Sequence, residues 1–83
     1  MKKYELEHME IWTKVLRRST ELSAMAKKEK DPARAKLLKS RAEILSREFY
    51  EHGSTRKHRG LTEEQLRSSF FHAEKLLDRY RPC

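Results

Sequence analysis

With Val15 as origin and an advance of about 100° per residue, Tyr4, His8, Ile11, Val15, Leu22 and Ala26 collect on one helical face. Trp12 falls at the edge of that face. Ser19 lies within it, the one small polar residue there besides His8, and its hydroxyl can return to a carbonyl one turn back without breaking the stripe. Met9 and Leu16 occupy a flank of their own. The pattern predicts a helix from about Lys3 to about Lys28. Its start carries Glu5, Glu7 and Glu10 and its end Lys27, Lys28 and Lys30, the order that a helix dipole favours.

Asp31-Pro32 marks the next boundary. Asp is a strong N-cap, Pro at the first helical position gives up only an amide that has no intrahelical partner, and Pro32 disfavours helical geometry at Asp31. A second helix is expected from Pro32 to about His52, stopped by Gly53 as a left-handed cap. Its main seam is Ala35, Leu38, Ala42, Leu45 and Phe49. Leu37 and Ile44 form a second stripe roughly 130° away. Two stripes suggest two neighbours, so this helix is expected to be the central one. Residues 54–60 (STRKHRG) read as a loop, with glycine at each side and no apolar residue within. Thr62 and Gln65 then form a capping box, and Leu61 is placed to staple onto Leu66. The third helix is expected over Glu63 to Tyr80, with Leu66, Phe70, Ala73, Leu76, Leu77 and Tyr80 inward, and Arg81-Pro82-Cys83 ends it.

Short connections between three helices predict an all-α, three-helix antiparallel (up-down-up) bundle forming a single domain over residues 1–83. Its core is small and its stability modest. The first helix, about 40 Å long at about 1.5 Å per residue, would overhang its partners. Met9, Leu16 and Phe71 lie outside the seams and are expected to form a partner or dimer surface. A homodimer would bury them; an extended hairpin dimer with the third helix swapped would do the same.

Composition adds restraint to this picture. Charged residues make up 40% of the chain, close to disordered composition, and only the apolar periodicity argues for folding. The 83 residues hold a single cysteine, Cys83, so no disulfide within them is expected, and neither is prenylation of that thiol. No apolar run approaches the roughly 18 to 20 residues that span a bilayer. Tyr4 to Glu10 is too polar for a signal-peptide core, and the cytoplasm is the expected compartment.

Candidate chemistry is sparse. The chain lacks G-x-x-x-x-G-K-[ST], G-x-G-x-x-G and H-E-x-x-H, and its two glycines cannot build a phosphate cradle. Glu63-Glu64 and the Glu7/Glu10 pair have a dipole explanation. The expectation is a non-enzymatic protein with no cofactor. His8 reads as a packing residue with a hydrogen bond, His72 as a solvated flank residue, His52 as the end of the second helix and His58 as part of the basic loop. His52 and His58 could face each other, but no further His or Cys pair gives a zinc spacing, so no metal site is expected.

Net charge is +7, from 20 Lys and Arg against 13 Asp and Glu. Part of it has a dipole explanation, and the third helix together with Arg81 is neutral. The remainder concentrates at Lys27, Lys28, Lys30, Lys36 and Lys39, with Arg34 and Arg41 alongside, and in the loop at Arg56, Lys57 and Arg59. Acid-poor clusters of this kind suit phosphate backbones, so DNA or RNA is the expected partner of a small basic regulator or accessory protein. In an up-down-up bundle the two basic segments lie at opposite ends. Pro32 to Arg41 lacks the short preceding helix of a helix-turn-helix, and the loop lacks aromatics for stacking on single strands. Backbone contact or duplex shape is therefore favoured over base readout. The alternative is a helical protein-interaction adaptor using Met9, Met25, Tyr50 and Phe71. A membrane-surface role for the first helix, through Lys14, Arg17 and Arg18, is opposed by Glu5, Glu7, Glu10, Glu21 and Glu29.

Overall fold

Local sequence signals open the second and third helices in the computed structural model, which describes residues 3–53 and 60–81. Helix α1 spans Lys3–Lys28 and α2 spans Pro32–Glu48, which continues into a π-helical turn over Phe49–Gly53; α3 spans Glu63–Arg79. No strand occurs among the described residues. Asp31 caps α2, its side chain accepting from the Ala33 amide at 3.1 Å, and Pro32 is the first helical residue. Thr62 and Gln65 form the reciprocal capping box of α3, at 3.2 Å and 2.9 Å. At the far end of α3, the Arg18 guanidinium donates to the carbonyls of Leu77 and Tyr80 at 3.1 Å and 3.0 Å. A cation from α1 thereby satisfies carbonyls that the last turn leaves without helical partners.

The buried core comes from all three helices. Ile11, Trp12, Val15 and Leu22 of α1 meet Leu38, Ala42 and Leu45 of α2 and Ala73 and Leu76 of α3, with Phe49, Phe70, Leu77 and Tyr80 packed at its edges. Trp12, set at the margin of the apolar face by angle alone, is fully buried and is the largest side chain of the core.

Four expectations need correction. The helix that packs against both others is α1, not α2. The second stripe of α2 stays outside the core, with Leu37 50% and Ile44 37% exposed. Two stripes on one helix did not bring two neighbours, because the Trp12-centred face of α1 is broad enough to seat both partners. Gly53 does not end α2 in left-handed geometry: among the described residues only Gly60 has positive φ, at 81°. Gly53 is needed for space, since a Cβ there would stand 2.5 Å from Trp12 Cγ. Ser19 does not bond back along its own helix. Its hydroxyl crosses to the Ala42 carbonyl at 2.7 Å, while exposed Thr13 and Thr20 make the bonds one turn back. Tyr4, finally, stays outside the buried core at 40% exposure, with the Arg67 guanidinium 5.8 Å from its ring centre.

Among the described residues no helix is long and apolar enough to cross a membrane. Arg56, Lys57, His58, Arg59 and Cys83 lie outside the described residues.

Candidate functional site

Two regions carry unusual polar chemistry. The first is built around Trp12, near the start of α1. Its indole N–H donates to Ser69 Oγ of α3 at 2.9 Å, and the same oxygen lies 2.6 Å from His8 Nε2. His8 and Trp12 are one helical turn apart, so both reach the same hydroxyl. An indole N–H can only donate, which leaves Ser69 one lone pair and one hydrogen for the imidazole. The three groups form a polar clasp between α1 and α3 in which Ser69 is half-buried, and His8, only 1% exposed, fits the packing role expected of it.

Over the same indole sit two further imidazoles. The His52 and His72 ring centres lie 6.1 Å and 6.0 Å from that of Trp12 and 5.4 Å from each other, nearly perpendicular. His52 rides on the π-helical turn, a local expansion of the helix that is frequent at functional sites. Gly53 lets this turn close onto Trp12. His72 comes from the third turn of α3. Between them stands Glu48, the last residue of α2, with Oε2 3.0 Å from His72 Nε2 and 3.4 Å from His52 Nε2. The nitrogen and oxygen atoms of this trio all lie within 4.8 Å of one another. Beside it a concave surface is lined by His52, Glu64, Gln65, Ser68, Ser69 and His72. Such a trio can hold a proton between imidazole and carboxylate, or offer three ligand atoms to a cation.

The second region is the α1–α2 turn. Lys27, Lys28, Lys30, Lys36 and Lys39 are all exposed. The two acids among them are engaged locally. Glu29 pairs with Arg34 at 3.5 Å and accepts from the Asp31 amide at 3.2 Å, while Asp31 caps α2. Among the described residues none of the five lysines, nor Arg41, has an ion-pair partner.

No protein family, curated protein or solved structure matches the chain.

The residues expected to form one apolar partner surface separate into two. Met9 borders a shallow patch with Leu6, Glu10, Thr13, Lys14 and Arg17, while Phe71 lines a different groove with Tyr4, Glu7, Leu66, Arg67 and Phe70. Leu16 is half-buried and lines neither. The histidine cluster is the feature that sequence reasoning missed. Glu48 and His52 are four apart, a visible helical pairing, but His72 joins them only through the packing of α3.

Proposed function

We propose that the protein binds nucleic acid through phosphate-backbone contacts made by the α1–α2 turn, as a small basic regulator or accessory factor. One observation carries this reading: the only acids in the turn, Glu29 and Asp31, are occupied with its own architecture, which leaves the exposed Lys27, Lys28, Lys30, Lys36 and Lys39 and the half-exposed Arg41 without ion partners among the described residues. Closely spaced phosphates would release counterions on meeting such a rim, and affinity would fall steeply with salt. The contact pairs Ser19–Ala42, Trp12–Gly53, His8–Ser69 and Arg18–Leu77 support an up-down-up order. In that order the α1–α2 turn stands at one end of a body about 45 Å long. Fluorescence anisotropy with labelled duplex DNA, duplex RNA and single strands, across a salt series, tests the proposal. A linear fall of log affinity with log salt on duplexes is expected, and no binding at low salt would sink it.

A second reading has its own observation. Phe71 is 62% exposed beside Tyr4 in the groove that Arg67 rims, an apolar surface suited to a partner helix or a second copy of the chain. Light scattering after size-exclusion chromatography tests it: a concentration-dependent dimer, lost in Phe71→Ala, supports this reading, and a monomer at all concentrations opposes the dimer.

A further inference from the structure

We propose that Glu48, His52 and His72 form a site for a divalent transition-metal ion, zinc or a late first-row neighbour. The donor set is two imidazoles and one carboxylate, the borderline and hard ligands that such ions take together. Metal–ligand distances of about 2.0–2.1 Å place tetrahedral ligand atoms about 3.3 Å apart. The observed separations from Glu48 Oε2, 3.0 Å to His72 and 3.4 Å to His52, lie on either side of that edge. Three protein ligands leave a fourth position for water. It would open toward the concave surface where Glu64 and Ser68 supply polar groups.

The setting favours ligation over a chance surface contact. The Glu48 side chain is 26% exposed, and the two imidazoles keep 49% and 44% exposure above the Trp12 indole, so the ligand atoms are held against the fold yet reachable from solvent. His52 is held by the π-helical turn, which Gly53 seats on Trp12. Because Glu48 and His52 belong to one helical segment and His72 to α3, an ion there would clamp two elements that otherwise meet mainly through α1. Binding would therefore stabilise the fold by mass action. Metal ligation requires neutral imidazoles, so acid releases the ion. The charged groups bearing on that competition are Glu48, Glu51 (3.9 Å from His52 Nε2), Glu64 across the concavity, and the two imidazoles on each other.

This inference is independent of the nucleic-acid reading, which concerns the other end of the molecule. The test titrates the full chain with cobalt(II) chloride and then zinc chloride. Expected are one cobalt per chain with visible bands of tetrahedral intensity, quenching of Trp12 by the paramagnetic ion, displacement by zinc, and release in acid. Saturating zinc, at about a hundredfold over Kd, should raise Tm by roughly 10 °C or more. His52→Ala, His72→Ala and Glu48→Gln should each weaken binding at least tenfold, with helical circular dichroism unchanged because all three side chains are partly exposed. The proposal is overturned if the wild-type chain binds no more tightly than the His52→Ala/His72→Ala double variant.

Discussion

The two ends of this protein use the same kinds of residue in opposite ways. Around Trp12, polar groups are turned on one another: Ser69 serves both His8 and Trp12, and Glu48 stands between His52 and His72. At the α1–α2 turn the acids are consumed by capping and by one ion pair, and the five lysines stay exposed. The first arrangement ties helices together. The second holds its charges where only solvent or a partner can answer them. Charge count alone conceals this difference, since it treats a lysine on the turn and a histidine over an indole as equal polar residues. What separates them is whether a buried aromatic lies underneath.

The largest test of that contrast is Trp12→Ala. Truncating a buried tryptophan costs about 3–5 kcal/mol. A chain of this length has roughly 4–12 kcal/mol in total. Trp12→Ala should accordingly lower the thermal midpoint in circular dichroism by roughly 12–40 °C. Gly53→Ala attacks the same packing from the other side. Its Cβ would meet the Trp12 ring at 2.5 Å, an overpacking that costs about 1–3 kcal/mol or more and pushes the π-helical turn away. A transition at the wild-type temperature in either variant would show that the Trp12 end is not the structural one.

Ser69→Ala comes next. It removes one small hydroxyl but strips the partner from the Trp12 N–H, and buried groups left unsatisfied cost about 1–3 kcal/mol. His8 loses its 2.6 Å contact at the same time. Urea unfolding should show a lowered midpoint with an unchanged slope, since the exposed area of the unfolded chain is the same. A loss well below 1 kcal/mol would mean that water takes the place of the hydroxyl and that the clasp is dispensable.

How much of this was legible in the sequence follows from the range of each signal. Caps are local: Asp31, Pro32, Thr62 and Gln65 lie within a few residues of the amides they serve, and all four act as their spacing implies. Helical faces are nearly local, so Leu38, Ala42, Leu45, Leu66, Ala73 and Leu76 are buried as expected. What periodicity does not contain is the breadth of a face. Trp12 looked marginal by angle, yet an indole reaches far enough to be covered from both sides, which makes α1 rather than α2 the helix in the middle. Nor does periodicity contain side-chain partners across helices. Ser19 found the Ala42 carbonyl rather than its own turn, and His72, still partly exposed, found Glu48. The basic turn was legible as composition, and the engagement of Glu29 and Asp31 became visible only with the hydrogen bonds.

The smallest effect on stability belongs to the basic turn, and there the comparison is most exposed to failure. In Lys27→Gln/Lys28→Gln/Lys30→Gln, two small contributions oppose each other. Lys27 and Lys28 sit in the last turn of α1, where a cation gains about 0.3–1 kcal/mol from the dipole at low salt. Removing them also relieves repulsion among neighbouring cations that have no acid of their own, so the net change should be within about 0.5 kcal/mol, typical of surface substitutions. For a domain this size that is at most about 4 °C in Tm. Binding should respond quite differently. If each lysine neutralises one phosphate, the dependence of log affinity on log salt should flatten by about 0.9 per residue, or close to three for the triple variant. A variant that melts like the parent but loses this slope places the turn's role in a partner. One that melts much lower, with its salt slope intact, shows that these lysines hold the fold and that both ends of the molecule are structural.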